Sequence, residues 1–408
     1  MTESGARALN VVCLASYFKG NEFLRECRRM GARVFLITKE KLLREEWARE
    51  SLDELLALPD ESSTELFIEA TSHLASQIKI DRIIALEEYD VITAGLIREH
   101  LCLPGMTATA ARRFRDKLSM RLRAQAAGIL VPEFVHALNH VEVDQYTKRV
   151  PPPWVLKPRS DVSAVGIRKM NRAEEVWRAL DELAARERLR ERPSYYLLER
   201  FIPGDVYHVD SIVEAGRAVF AGANRYGRPP MDVAHQGGVF ISYTIEHGSP
   251  EQQELFEINQ KLVQSLGLER GATHAEFIRA AEDGRFYFLE IAARIGGAYI
   301  PEILEASTGL NLWREWARLE LSEDERGYTP QPTREEYGGI VLSLARQEWP
   351  DTSAYADTEI FYRVGKRHHV GLVVRSPDFN RVQELLDQYA RRFDEDFSAV
   401  LPPLERTE

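Results

Sequence analysis

Residues 274–297, HAEFIRAAEDGRFYFLEIAARIGG, constrain this chain more than any other stretch. Two runs of apolar and aromatic residues flank Glu282-Asp283-Gly284, the pattern of two strands joined by a tight turn. A three-residue loop with Gly at the left-handed position sets Glu276 directly opposite Glu290 on one face. Carboxylates so placed lie about 4.5–5.5 Å apart at Cβ and repel. They are a liability unless a cation or a shared proton lies between them. Oxygen-only ligands favour a hard ion such as Mg²⁺, with phosphate completing its shell. Arg294 follows four residues after Glu290, a fork-shaped donor, and Gly296-Gly297 then give flexible backbone. A two-residue Asp-Gly turn would instead slip the register by one and separate the glutamates, leaving an ordinary surface hairpin.

The whole chain of 408 residues is long enough for two or three domains. A net charge of −11 argues against general nucleic-acid binding or an anionic membrane surface, while leaving room for a local basic pocket. The three cysteines, Cys13, Cys27 and Cys102, lack metal-ligand spacing and read as reduced thiols of a cytoplasmic protein. The first residues have no long apolar core and no run of about 18 apolar residues occurs, so neither a signal peptide nor a membrane span is expected.

In order, short apolar runs at 10–16, 34–37 and 82–86 alternate with helical patterns, including one at 64–77, and a further polar stretch also reads as helical. This is the signature of βαβ units and a parallel sheet. No GxGxxG follows the first strand, so a dinucleotide site is not expected. Glu87, Glu88 and Asp90 stand where the third run ends, either on the ligand side of an open sheet or as acidic residues at a helix start. A basic helix over 107–127 carries Lys117 and stops at Gly128. Residues 154–158, WVLKP, form a strand ending on Lys157-Pro158. The small-residue loop after it, RSDVSAVGI, can wrap phosphates with backbone N–H groups, although it lacks P-loop spacing. A charged helix over 172–192 has a Val176, Leu180, Leu183 stripe, and 195–201 reads as an edge-like strand. His208 and Asp210 follow on the next strand, as metal ligands or as a hydrogen-bonded pair. The stretch 222–238 reads as a mobile loop whose Arg225, Arg228, His235 and Gln236 suit anionic substrates. A helix at 251–266 precedes the hairpin, and a helical run broken near Gly309 follows it. Strands at 338–344 and 369–375 and a helix at 379–393 make a small α+β appendage.

Five ordered segments now stand together: RDKLSMRLRAQAAGILVP, WVLKPRSDVSAVGI, YLLERFIPGDVYHVD, HAEFI and FLEIAARIGG. In this order they resemble the ATP-grasp superfamily of ATP-dependent carboxylate ligases, over roughly residues 107–321. EIAARIGG looks most like its amino-acid and dipeptide ligases. The resemblance implies an N-terminal parallel α/β domain over 1–105 and an ATP-grasp domain over 106–325, in which two α+β subdomains sandwich ATP. The smaller of these, a lid, spans about 150–200, and the C-terminal α+β subdomain spans 326–408. It implies that ATP, with Mg²⁺ or Mn²⁺, drives the joining of a small-molecule carboxylate to an amine through an acyl-phosphate. Lys117 and Lys157 match the phosphate-holding lysines. Glu199, Phe201 and Ile202 match the adenine-reading linker, and Asp205 the acid on the ribose, with Ser163 and His208 also on the ATP side. Glu276 and Glu290 match the metal ligands, and Arg294 the arginine for substrate carboxylate or acyl-phosphate, beside Gly296, Gly297 and His235 as substrate contacts. Lys157 and Arg294 would stabilise developing charge.

Two positions depart from the pattern. Ala292 stands where many members have Asn, and the phosphate loop is poor in glycine. A biotin carboxylase-like enzyme and an ATP-binding sensor or scaffold are the competing readings. The first lacks a Met-Lys-Met biotin segment, and the second does not need both lysines, both glutamates and Arg294. Many relatives dimerise, so a homodimer is compatible with the resemblance.

Overall fold

The structure, a computed structural model, describes residues 7–160, 166–187, 195–231, 233, 237–322 and 328–399. The first unit contains β1 (Asn10–Ala15), α1 (Asn21–Arg29), β2 (Arg33–Lys39), β3 (Glu54–Leu58), α2 (Thr64–Ala75), β4 (Arg82–Ala85) and α3 (Val91–His100). Its sheet is parallel, in the order β3-β2-β1-β4. β1 is buried along its whole length and β2 at all but its first residue, which is why they read as unbroken apolar runs. Residues 40–42 and 49–51 make short 3-10 turns where a helix was expected. β3 was not anticipated, because it is an edge strand and only half-buried. From β1 the chain winds outward through β2 and β3, then returns to place β4 on the other side of β1. The strand order therefore reverses between β1 and β4, and a crevice opens at their carboxyl ends.

Next come α4 (Ala108–Arg112), α5 (Lys117–Ala126), β5 (Phe134–His136), α6 (His140–Arg149), β6 (Trp154–Pro158), β7 (Arg168–Met170), α7 (Ala173–Glu187) and β8 (Tyr196–Arg200). The single helix expected over 107–127 is two helices. Asp116 is extended between them and caps α5, its Oδ1 accepting from the Leu118 and Ser119 N–H groups at 3.0 and 3.4 Å. The four strands form an antiparallel sheet in the order β5-β8-β6-β7, so β8 is an interior strand and not edge-like. The Val176, Leu180, Leu183 stripe of α7 packs with Val143 and Tyr146 of α6 in this unit's own core.

The central sheet uses β9 (Gly204–Glu214), β10 (Arg217–Tyr226), β11 (Phe240–Thr244), β12 (Arg270–Ala280), β13 (Phe286–Ala292), β14 (Tyr337–Leu344), β15 (Ile360–Arg363) and β16 (His369–Ser376). Their order is β13-β12-β9-β10-β11-β14-β16-β15, and each pairing is antiparallel. Among the helices, α8 (Pro250–Leu266) covers one face together with α5, whereas α9 (Ile300–Thr308) and α10 (Leu312–Leu321) cover the other. Trp313, Trp316 and Leu319 are core, as expected. The C-terminal strands extend this sheet rather than forming a separate one, and α11 (Phe379–Asp396) packs on β14 and β16. The first five residues of the segment expected as a mobile loop at 222–238 are the end of β10, which runs to Tyr226. No helix among the described residues is long and apolar enough to cross a membrane.

Candidate active site

The hairpin of β12 and β13 sets the site. Glu276 does lie opposite Glu290, but by a different route from the three-residue turn. Ala280 N–H donates to Arg285 O at 2.9 Å, so four residues, Ala281 to Gly284, form the loop. Phe277 therefore pairs with Phe288, and a bulge at Leu289 restores Glu290 to Glu276. Without the bulge, alternation would turn Glu290 toward the core side with Phe286 and Phe288. With it, Leu289 and Glu290 both face the cavity. Bulges near functional sites re-aim side chains in this way.

The cavity, of about 740 Å³, lies between the β5-β8-β6-β7 sheet, the central sheet and the carboxyl end of the N-terminal sheet. Its lining includes Lys117, Lys157, Glu199, Phe201, Ile202, Glu276, Glu290, Arg294 and Gly297. Lys117 opens α5 and is buried, not on a solvated helix face, and its Nζ lies 3.1 Å from Glu290 Oε2. Lys157 Nζ lies 2.5 Å from Glu199 Oε1, while Arg121 donates to Glu199 Oε2 from Nη2 at 2.9 Å. Burial draws the Lys157 pKa down to about 8 despite the attraction of Glu199. For Glu290, burial opposes ionisation, yet Lys117 and Lys157 outweigh it and hold the pKa at about 2. Arg294 donates to Glu88 Oε2 from Nε and Nη2 at 3.2 and 3.0 Å, and Glu88 also holds Arg115 at 2.5 Å. Glu88 is thus an ion-pair partner on the ligand side of the parallel sheet. Val206, Ile278 and Leu289 extend the apolar wall beside Ile202.

Other expected residues lie elsewhere. Asp205 alternates with Val206 along β9, so it points to the opposite sheet face, where Arg225 holds it at 2.8 Å; it does not line the cavity. His208 is fully buried behind the wall, its Nδ1 donating to Asp210 Oδ2 at 2.6 Å and its Nε2 facing Ser242 Oγ at 2.8 Å. Both ring nitrogens are engaged, so the group His208, Asp210, His274 is a hydrogen-bond network and offers no free imidazole to a metal at His208. Gly296 is also packing: a Cβ there would stand 2.7 Å from Asp210 Oδ1. Gly297 alone of the pair lines the cavity. Ser163 and His235, and Gln236 with them, lie outside the described residues.

Sequence reasoning passed over three lining residues, His274, Tyr226 and Lys19. His274 Nδ1 donates to Asp210 Oδ1 at 2.9 Å, and its Nε2 stands 3.5 Å from Glu276 Oε1. Burial lowers its pKa, but Asp210 and then Glu276 reverse that and raise it to about 9. Tyr226 Oη donates to Glu276 Oε1 at 2.9 Å. The position of His274 at the head of HAEFI, two residues before Glu276 on a strand, was the available signal, since alternation puts both on one face.

The donor set at the hairpin is two opposed carboxylates with oxygen ligands only, on the wall of a cavity that also offers two lysines. That composition fits a hard divalent cation. Ala292, paired with His274, adds no ligand.

Residues 150–302 match the family model described as an ATP-grasp domain. The chain is 23% identical over 299 residues to an L-arginine-specific L-amino acid ligase of Bacillus subtilis, covering 70% of each. A crystal structure of an L-amino acid ligase from Bacillus licheniformis superposes with a TM-score of 0.78 at 16% identity, over 97% of this chain and 99% of that one. The biotin carboxylase domain of Hydrogenobacter thermophilus 2-oxoglutarate carboxylase, solved with MgADP and bicarbonate, gives 0.71 at 16% identity, over 96% and 91%. These likenesses establish the fold.

Proposed function

The chain carries an ATP-grasp domain, and we propose that it is an ATP-dependent carboxylate–amine ligase that works through an acyl-phosphate. One observation carries the reading. A single cavity is lined by an apolar group (Phe201, Ile202, Leu289), two buried lysines, two opposed carboxylates and Arg294. A nucleotide base, its phosphates, a metal and a carboxylic acid need those groups in one cavity. The relatives named as L-amino acid ligases support the same chemistry.

In this reading the adenine lies against the apolar group, and Lys117 and Lys157 hold the phosphates. Both lysines are paired with acids in the structure, so phosphate binding exchanges Glu290 and Glu199 for stronger anions. Arg121 keeps Glu199 neutralised through that exchange. Glu276 and Glu290 would hold Mg²⁺ or Mn²⁺, which when bound neutralises phosphate charge. Arg294 holds the acid's carboxylate, itself fixed by Glu88. A carboxylate oxygen attacks the γ-phosphorus, the bond to the β,γ-bridging oxygen breaks, and ADP leaves with the electron pair. The amine nitrogen then attacks the acyl carbon. Phosphate departs with the former carboxylate oxygen, the proton lost from nitrogen goes to the released phosphate, and the amide remains. The protein contributes position and preorganised charge rather than covalent chemistry.

Hydroxylamine tests this without a known amine. With ATP, Mg²⁺ and a pool of the common amino acids, the protein should release ADP and form an acyl-hydroxamate. The Glu290→Gln variant should lose about 100-fold or more of that rate. ADP release that requires bicarbonate and yields no hydroxamate would assign a carboxylase instead.

A further inference from the structure

Lys19 is not accounted for by the reading above. It stands on the loop after β1, lines the cavity and is half-buried. Among the described residues its ammonium has no hydrogen bond or ion pair. Yet it is held in place. Ser16 before it is tied to Asp90 through N–H and hydroxyl, both at 2.7 Å. Tyr17 stacks on Tyr89 with centroids 5.1 Å apart, and Phe18 packs edge-on to Trp47 at 4.8 Å. Gly20 has φ +91 and lies against Leu86, where a Cβ would stand 2.9 Å from the leucine. Each anchor fixes the loop, and none neutralises the lysine.

Two cations and two acids surround it. Arg294 and Lys366 repel it, and Glu87 and Glu88 attract it. Glu88 is already shared between Arg115 and Arg294, and Glu87 is buried against Asp90, burial and that neighbour together raising its pKa. Glu88 therefore already serves Arg294 and Arg115 and makes no ion pair with Lys19. Lys19 also belongs to the Arg294 end. The main charges acting on Lys157 are Glu199, Arg121, Glu290 and Lys117, and Lys19 is not among them. Finally, Lys19 and Glu88 follow β1 and β4, the two strands flanking the reversal of strand order where open sheets take ligands.

We propose that Lys19 and Arg294 form a two-cation acid subsite, and that the acid substrate carries a second anionic group, read by Lys19, beside its reacting carboxylate. Dicarboxylates and acidic amino acids are the class. The identity of the reacting carboxylate rests on the ligase reading. An acid with a single charge leaves Lys19 desolvated without a partner, which disfavours it.

The test is direct binding. Glutarate and its monoamide, and L-glutamate and L-glutamine, are titrated calorimetrically into the protein with Mg²⁺ and a non-hydrolysable ATP analogue. The acidic member of each pair should bind at least about tenfold tighter. Lys19→Met should bring each ratio near one, and Lys19→Arg should restore much of it. A wild-type ratio near one, a ratio unchanged in Lys19→Met, or no binding by any of the four overturns the subsite. Hydroxamate formation, measured separately, judges the ligase reading. Selective binding without turnover would count against the ligase and leave the subsite standing.

Discussion

At the residue scale, Glu199 and its partners are the most tightly constrained charges in the site. Arg121 is fully buried, donates twice to Glu199 and lies over the Phe288 ring at 5.5 Å. Arg121→Ala strands part of a buried charge pair and should destabilise the fold by about 3–5 kcal/mol, measured by denaturant unfolding. Glu302 offers a pH test. Burial, with Glu305 and Glu22 nearby, raises its pKa from the ordinary 4.5 to about 7. Between those values the folded state keeps a proton that the unfolded state releases, so stability falls as pH rises and the full cost is present above about 7. Glu302→Gln should match wild type below pH 4.5 and melt progressively higher up to pH 7, then hold that gain. An equal melting temperature at pH 8 would contradict the shift. Residue type and motif order made Lys117, Lys157, Glu199 and Arg294 legible in the sequence. Asp205 misled because an acid at the expected spacing does not reveal which sheet face it takes. Lys19 was invisible because nothing local distinguishes a cavity lysine from a surface one.

At the scale of elements, the bulge in β13 decides what the hairpin presents. Acidic spacing and a turn were readable, and they led to the observed pairing of Glu276 with Glu290. The four-residue loop and the compensating bulge were not readable, since their two one-residue shifts cancel. Leu289 is the extra residue, and its side chain joins the apolar group. Leu289→Asp puts an unpaired charge there and should weaken binding of a fluorescent ATP analogue by at least about tenfold. Periodicity announced α2, α7, α8 and α11, but not α6 or the break at Asp116 that splits α4 from α5. β3 escaped because an edge strand has mixed burial, and β8 was misjudged because its partners β5 and β6 lie far apart in sequence.

For the whole molecule, three sheets converge on one cavity, and ligand binding should tie them together. Mg²⁺ with a non-hydrolysable ATP analogue at about 100 times its dissociation constant should add about 2.7 kcal/mol of stability, read as a raised melting temperature. The metal without nucleotide should do little. That the C-terminal strands continue the central sheet was not legible, because antiparallel neighbours separated by nearly a hundred residues, such as β11 and β14, share no local signal.

The acyl-phosphate route is tested most directly by the fate of one oxygen atom. Amino acids labelled with ¹⁸O in their carboxyl groups would be turned over with ATP, Mg²⁺ and hydroxylamine, and the released phosphate analysed by mass spectrometry. Transfer of one ¹⁸O per phosphate, with ADP as the nucleotide product, is the predicted result. Unlabelled phosphate, or AMP with pyrophosphate, would contradict the acyl-phosphate route.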